Sequence, residues 1–383
     1  MPLDNLFEEI ATGATTVDRR RALFEYAGLL GNPFPSAAQT SGHPHMTTDV
    51  DSNIDNEVKT FYGDRNSHAI VVTATQGVGK TNLLNAYEKA LREKLSTHGF
   101  FVIRYMSDPD PSFDPLIRSI FENLNQDGND HLKRTIAAVA KLTMAESVRR
   151  LEEVRTAEVR NVLRALLGLA SEGKPLEQES LLAQQWLMGL PVRKPHREQL
   201  GIHYRLDTVE AKMRALRDII YFSYGAGTLQ GVFLLMDELE KQFAFSRTTS
   251  LRYLLALRAL IDALPRFLFL MVAMTTDALD RYREMVPALR GRLANVVYLL
   301  PLRGEDAAVA LYSFYLNSAR EDAVRSEDTH TWKRGRYEIL SEKTARDTFT
   351  ELASRSTIQG VRQRDFLNAL HEKANAKIET LFA

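Results

Sequence analysis

The chain has 383 residues, of which 44% are hydrophobic and 26% charged, so it can bury a sizeable core and should form two or three structural units. Its 49 basic and 49 acidic side chains balance, so binding to nucleic acid or to an anionic membrane would need a local patch. The absence of cysteine excludes disulfides, thiolate metal sites and a cysteine nucleophile.

Residues 1–60 predict an N-terminal arm. A helical pattern around 19–30 ends at GNPFP, and the polar stretch 36–53 is typical of an extended arm or a loop. His43 and His45 in this stretch lack a third ligand nearby, so they predict a loop and no metal site. The chain start lacks an export signal, and no apolar run approaches the roughly 20 residues of a bilayer span. We expect a cytoplasmic protein without a membrane segment.

Five short apolar runs predict buried strands, and helical patterns separate them. This alternation predicts an α/β fold with a five-stranded, largely parallel sheet that helices cover on both faces. The runs are 69–74, 100–106, 232–236, 267–274 and 296–300.

A large helical insertion is predicted between the second and third strands, at about 125–228. A small C-terminal α-helical lid is predicted at 302–383, which leaves a central domain at 61–301. The helical patterns of the insertion region cover 114–125, 131–169, 178–190 and 208–224, and those of the lid cover 305–319, 344–354 and 364–377.

The segment ATQGVGKT, which follows the first strand and opens a helix, predicts a phosphate-binding loop. Its first position is Ala where the pattern has Gly, but Gly77 and Gly79 still let backbone N–H groups point at a phosphate. Lys80 would reach the terminal phosphates and Thr81 would ligate Mg²⁺. We predict that ATP binds to Ala74, Thr75, Gln76, Gly77, Val78, Gly79, Lys80, Thr81 and Asn82.

A second motif, GVFLLMDELE, delivers two carboxylates at the end of the third strand. Asp237 would hold Mg²⁺ through water, and Glu238 would orient or deprotonate the water that attacks ATP. The alternative is an ordinary helix start with acidic residues in its first turn, which we prefer for Glu240. Together the two motifs predict an ATP hydrolase.

The phosphate loop, the DELE strand, a threonine-ended fourth strand, the LRGRL segment and the lid together resemble AAA+ ATPases, in the branch of origin-recognition and transposition-regulator ATPases. The resemblance covers about 69–370. It implies that Thr275, or else Thr276, reads the γ-phosphate at the end of the fourth strand.

The same resemblance implies arginines at the nucleotide. In LRGRL, Arg292 and then Arg290 are candidates for an arginine directed at the neighbouring subunit's nucleotide, and an exposed surface role is the alternative. In the lid segment QRDFLNAL, Arg364 and then Arg362 are candidates for a phosphate-sensing arginine. We therefore expect a homo-oligomer with ATP at the subunit interface.

A narrower resemblance concerns the segment QQWLMGLPVRKPHREQLGI before the third strand. It is similar to ATP-binding proteins of bacterial anti-phage islands, including those of BREX type, which implies antiviral defence. The leading hypothesis is an ATPase that remodels or recruits DNA or a partner protein. The alternative is a slow signalling ATPase that uses ATP as an assembly switch for a separate effector.

Two basic segments are candidate nucleic-acid surfaces. In the segment TWKRGRY, 331–337, aromatic residues interleave with cations. For both segments we prefer an ordinary exposed surface, because acidic residues dilute the charge of the first and the second is typical of a loop. The first segment contains Lys133, Arg134, Lys141, Arg149, Arg150, Arg155, Arg160 and Arg164.

Overall fold

The computed structural model describes residues 24–25, 27–39, 41–107, 110–125, 130–326, 338–356 and 358–381. The chain divides into two compact units. The sheet unit comprises Asp49–Thr73 and Leu84–Tyr298. The loop-and-lid unit comprises the described residues of Met1–Thr48, Ala74–Leu83 and Leu299–Ala383.

A five-stranded sheet with the order β2-β3-β4-β1-β5 forms the centre of the sheet unit. All neighbouring strands are parallel, and every residue of β3 and β4 is buried, as expected for apolar strands with helices on both faces. The predicted α/β sheet is confirmed. Its strands are β1 His68–Thr73, β2 Phe100–Met106, β3 Gly231–Asp237, β4 Leu268–Met274 and β5 Asn295–Tyr298.

The helices of the sheet unit include α3 to α9, which lie between β2 and β3, where the insertion is predicted at about 125–228, and which share one hydrophobic core with the sheet. In chain order they are α1 Asp49–Asp64, α2 Lys80–Leu95, whose first turn belongs to the loop-and-lid unit, α3 Asp114–Asn123, α4 His131–Val139, α5 Met144–Glu152, α6 Ala157–Ser171, α7 Glu177–Leu187, α8 Lys194–Gln199, α9 Val209–Gly225, α10 Arg247–Ala263, α11 Thr276–Met285 and α12 Leu289–Arg292.

Two expectations about helices were wrong. The pattern at 131–169 is not one helix, because Thr143 starts α5 with a capping box in which its side chain and that of Glu146 each accept a backbone N–H of the other residue. The polar stretch to residue 53 is not all extended, because α1 begins at Asp49. Phe61 of α1 is fully buried, and its ring lies 5.1 Å from that of Phe233.

The loop-and-lid unit has its own hydrophobic core. Three helices build it, α13 Glu305–Arg325, α14 Glu342–Arg355 and α15 Gln363–Leu381. Part of the N-terminal arm packs onto them, since Phe34 stacks on Tyr312 at 5.7 Å between ring centroids. The basic segment 331–337 lies outside the described residues. Across the described chain, no helix is both long and apolar enough to cross a bilayer.

Candidate nucleotide site

The backbone of the predicted phosphate loop has the conformation for which its two glycines are needed. Gly77 has φ +83° and Gly79 has φ +110°, values that residues with a side chain rarely adopt. A Cβ placed at position 79 would lie 3.0 Å from Oε1 of Gln363. Helix α2 then begins at Lys80, so its first N–H groups lie directly after the loop, as in phosphate sites.

Lys80 lies folded over the loop. Its residue surface is only 8% exposed, and Nζ donates to the carbonyl oxygen of Ala74 at 3.1 Å and to that of Thr75 at 3.4 Å. Val78 is buried and anchors the loop, whereas Thr81 is half-buried. A buried ammonium group on loop carbonyls is a cation already positioned for the phosphates of a nucleotide.

Arg362 and the first residues of α15 contact the loop within the same unit. The backbone N–H of Arg364 donates to the carbonyl oxygen of Gly77 at 3.1 Å. A Cβ placed at position 77 would lie 3.4 Å from Cδ of Arg362 and 3.6 Å from Cβ of Arg364. Both predicted lid arginines therefore belong to a segment that touches the phosphate loop, together with Gln363, which sequence reasoning missed.

Asn82, in the first turn of α2, connects the loop to the HPH segment, which is a loop as predicted. Its Oδ1 lies 2.8 Å from Nδ1 of His45, and its Nδ2 lies 3.0 Å from Nδ1 of His43 and donates to the carbonyl oxygen of Pro44 at 3.2 Å. His43 also contacts the Tyr315 hydroxyl at 2.9 Å. Burial lowers the pKa of His43, which keeps this imidazole neutral at pH 7.

Asp237 is fully buried, and both of its carboxylate oxygens are engaged. Oδ1 accepts the backbone N–H of Glu238 at 2.9 Å, and Oδ2 lies 2.7 Å from Nη2 of Arg104 on β2. Among the described residues there is no group of three or more metal-ligating side chains, so a Mg²⁺ ion held by Asp237 would also need phosphate and water oxygens. Sequence reasoning missed Arg104, although a lone charge in the apolar run FFVIRYM was a usable signal.

Glu238 adopts the left-handed conformation, with φ +55°, which is uncommon for a residue with a side chain and is found at functional turns. Its carboxylate is ion-paired with Lys241 at 2.6 Å, and 38% of the side chain is exposed. The next residue, Leu239, is buried, and its carbonyl oxygen accepts the hydroxyl of Tyr282 at 2.6 Å. Burial of Leu239 and its hydrogen bond to Tyr282 therefore hold the turn that carries Glu238 in place.

The carboxyl ends of the parallel strands meet at one edge of the sheet, where Thr73 of β1 is in register with Met274 of β4. Beyond that register the hydroxyl of Thr73, the residue before the phosphate loop, donates to the hydroxyl of Thr276 at 3.2 Å. Thr275 lies just before α11 and makes no side-chain capping hydrogen bond. This contact favours Thr276 over Thr275 as the residue next to Thr73.

The two candidate interface arginines are exposed on the four-residue helix α12. Nε of Arg292 lies 2.6 Å from Oδ1 of Asp262, and half of the Arg292 side chain is exposed. Nε of Arg290 donates to the carbonyl oxygen of Arg283 at 3.3 Å. Either guanidinium group would have to leave an intramolecular partner to reach another subunit.

The predicted basic patch on the insertion is largely engaged in local contacts, which supports an ordinary exposed surface. Ion pairs join Lys133 to Glu177 and both Arg149 and Arg150 to Glu153, while Arg160 donates to the carbonyl oxygen of Val154 and Arg164 to the side chain of Asn161. Arg155 is an exception that lines a cleft described below.

No protein-family model and no curated protein matches the sequence. Among solved structures, the chain is similar to the ORC2 protein of Aeropyrum pernix in two forms, the ADPNP–ADP complexes and the ADP form. The first has 13% identity and a TM-score of 0.39, with 90% of this chain and 72% of that chain covered. The second has 15% identity and a TM-score of 0.38, with 88% and 73% covered. PCH-2 of C. elegans has 16% identity and a TM-score of 0.31, with 86% and 70% covered. Similarities of this level assign neither a ligand nor a partner to this chain.

Proposed function

We propose that this chain is an ATPase of the AAA+ type that binds ATP at the loop 74–82. The contacts around the glycine loop in the loop-and-lid unit carry this proposal. Lys80 is folded over the loop carbonyls, and the segment with Arg362 and Arg364 bonds to the loop backbone at Gly77. Two arginines, a lysine and a helix N-terminus beside a glycine loop suit a triphosphate, because it is highly negatively charged.

Each residue has a proposed role at the nucleotide. Lys80 and the lid arginines would bind phosphate oxygens, Thr81 and Asp237 would hold Mg²⁺, and Glu238 would orient the attacking water. Bound Mg²⁺ would neutralise charge on the phosphates. Thr276, supported by its contact with Thr73, or Thr275 would sense the terminal phosphate.

ATP binding would be coupled to assembly, in which Arg292 of one chain completes the site of its neighbour. Such a machine would remodel or recruit DNA or a partner protein. The exposure of Arg290 and Arg292 supports the interface role, because both side chains are accessible to a second subunit. A role in defence against phage or mobile DNA rests on the sequence resemblance of the insertion alone.

One observation favours the alternative of a slow, switch-like ATPase. Both carboxylates needed for hydrolysis are paired with cations of the same chain, Asp237 with Arg104 and Glu238 with Lys241. Each carboxylate would have to leave its cation before it could hold Mg²⁺ or orient the attacking water, so turnover would be slow while ATP stays bound. Steady-state turnover separates a motor from such a switch.

The hydrolytic role is tested with Glu238→Gln, which keeps the shape of the side chain and removes its basicity. We expect unchanged ATP binding, loss of turnover and accumulation of an ATP-bound assembly in sizing experiments. Glu240→Gln is the matched control and should hydrolyse ATP normally. The assignment fails if Glu238→Gln hydrolyses ATP at the wild-type rate.

The interface role is tested by mixing two inactive proteins, Arg292→Ala and Lys80→Ala. An arginine acting in trans is worth about 10³–10⁵ in rate, so Arg292→Ala alone should lose most turnover and still bind ATP. Mixed assemblies contain interfaces with an intact loop and an intact arginine, so part of the activity should return. Mixed assemblies that form but stay inactive, together with normal hydrolysis by Arg292→Ala, would refute the role, and Arg290→Ala tests the second candidate.

A further inference from the structure

A cleft of about 890 Å³ opens in the sheet unit, away from the edge that carries Asp237. Phe267 and Gln230 line it, and they directly precede β4 and β3, so the cleft lies at the amino ends of these parallel strands. Asp237 and Thr276 lie at or beyond their carboxyl ends. The walls of the cleft come from the end of α5, from α9 and from the end of α10. The proposed ATPase chemistry uses none of these residues.

Four arginines and four carboxylates line the cleft, but most of the carboxylates are already engaged. Glu153 is paired with Arg150 at 3.1 Å, and Asp262 is paired with Arg292, which lies outside the cleft lining. Asp218 is buried, pairs with Arg217 at 2.7 Å and accepts the backbone N–H of Thr156 at 2.7 Å. The exposed Glu152 is the remaining carboxylate.

Two guanidinium groups in the cleft have a positive charge that no carboxylate of the described residues neutralises. Arg155 and Arg266 are both exposed, and neither has a carboxylate partner within the described part of the chain. Arg217 and Tyr221 line the same cleft. Burial raises the pKa of Tyr221, and the charges of Arg266, Arg155 and Arg217 oppose that rise. Three guanidinium groups therefore share one cleft, which is an arrangement that suits an anion.

Aromatic rings stand beside these cations. The Arg266 guanidinium lies over the ring of Phe267 at 4.9 Å and 5.9 Å from the ring of Tyr224. Tyr221 and Tyr224 are three residues apart on α9, so they share one helix face, and both are half-buried. The cleft thus offers a partly exposed aromatic wall on which a planar ring can stack.

Phe267 supports this wall in a strained conformation. Its φ is +73°, which is rare for a bulky side chain and costs of order 1–3 kcal/mol. Two hydrogen bonds hold it, because its N–H donates to the carbonyl oxygen of Arg65 at 2.9 Å and its own carbonyl oxygen accepts the N–H of Val232 at 2.8 Å. Strain that the surroundings fix in this way concentrates at ligand sites. The two hydrogen bonds thus fix the position of the Phe267 ring, on which Arg266, Tyr221 and Tyr224 pack.

We propose that this cleft binds a mononucleotide, with its phosphate between Arg155 and Arg266 and its base along Tyr221 and Tyr224. The volume falls within the range of roughly 300–1,000 Å³ typical of small-molecule sites. Guanidinium groups match phosphate oxygens in pairs, and the aromatic wall supplies the contact that free phosphate cannot use. The site is a second nucleotide site, distinct from the phosphate loop.

The test uses the full chain carrying Lys80→Ala, which is designed to disable the phosphate loop. AMP, GMP, CMP and UMP are titrated by ligand-observed NMR, with adenosine and inorganic phosphate as partial ligands. We expect at least one monophosphate to bind more tightly than either partial ligand. Arg155→Gln and Arg266→Gln should each weaken that binding by about tenfold or more. The matched control is Arg149→Gln, on α5 but outside the cleft, which should change nothing.

Arg155→Gln keeps the test valid if Arg266→Gln fails to fold, because Arg155 is exposed and stacks on no ring among the described residues. Absence of binding by all four monophosphates would overturn the proposal, and so would binding that neither arginine affects. A glutamate-rich peptide that binds with the same arginine dependence, in place of the nucleotides, would also overturn it and point to a protein partner. Dependence on Arg155 also separates this site from any binding left at the phosphate loop.

Discussion

Replacement of Arg104 by methionine should destabilise the protein far more than loss of an ordinary ion pair. The Asp237 carboxylate is fully buried, and the Arg104 side chain is only 12% exposed, with 2.7 Å between Nη2 and Oδ2. Methionine keeps much of the length and apolar contact of arginine but leaves a buried carboxylate without its cation. Breaking a buried pair in this way costs about 3–5 kcal/mol, because the remaining charge has lost its solvation.

A matched control lies next to this pair. Arg92 is ion-paired with Glu88 at 3.0 Å, but 42% of the Arg92 side chain is exposed. An exposed pair contributes about 0–1 kcal/mol. Arg92→Met should therefore lower the free energy of unfolding by no more than about 1 kcal/mol, whereas Arg104→Met should lower it several times as much.

The cause is isolated by adding Asp237→Asn to Arg104→Met. The amide removes the buried charge and keeps an oxygen to accept the N–H of Glu238. If the uncompensated charge is a main cost, the double variant should recover part of the loss, with a coupling energy of about 1–3 kcal/mol. Urea unfolding without nucleotide, followed by far-UV circular dichroism, provides the measurement. Equal losses for Arg104→Met and Arg92→Met, or no recovery in the double variant, would refute the reasoning.

Three further predictions each concern one residue. Lys241→Met removes the exposed ion pair that holds the Glu238 carboxylate, which is worth about 0.2–1 kcal/mol, so kcat should rise up to about fivefold. A fall in kcat would show that the ion pair with Lys241 does not slow hydrolysis. Gly79→Ala should weaken ATP binding, because φ is +110° there, while Gly63→Ala in open space should leave binding unchanged in the same calorimetric titration. Burial lowers the pKa of His131 to about 3, so below pH 6.5 the unfolded chain takes up a proton at this residue and the folded chain does not. The free energy of unfolding should therefore be about 2 kcal/mol lower at pH 5 than at pH 7.5. His131→Leu should remove that difference in urea unfolding.

The sheet could be predicted from the sequence because its strands are short apolar runs with no competing helical period. FFVIRYM predicted β2 residue for residue, and β3 and β4 differ from their runs by a residue or so at their ends. Parallel strands buried on both faces have this near-continuous apolar character. The backbone conformation of the loop could also be predicted, because glycines at positions 77 and 79 allow the positive φ values that the loop adopts.

Other elements gave weaker or unused signals. Helix α1 is largely polar and buries few side chains, among them Ile54 and Phe61, so its pattern resembled extended chain. The break before α5 did have a signal, because Thr143 and Glu146 have the spacing of a capping box. Arg104 stood out as a charge within an apolar strand, which predicts a buried partner.

Contacts between distant segments could not be predicted from local sequence. Arg364 bonds to Gly77, and Thr73 to Thr276, across separations that no local period encodes. Thr275 was preferred because it directly follows the end of β4. The directions of the Thr275 and Thr276 hydroxyls, however, depend on the backbone conformation between β4 and α11. Residue type therefore identified the candidate threonines and arginines, and only three-dimensional packing separates or groups them.

The central claim is that ATP binds at the glycine loop, and calorimetric titration with Mg²⁺–ATP tests it most directly. Lys80 is buried on the loop, whereas Lys89 is exposed on the same helix and serves as the matched control. We expect that wild type and Lys89→Ala bind ATP equally well and that folded Lys80→Ala shows no binding. A folded Lys80→Ala protein that binds ATP as tightly as wild type would contradict it.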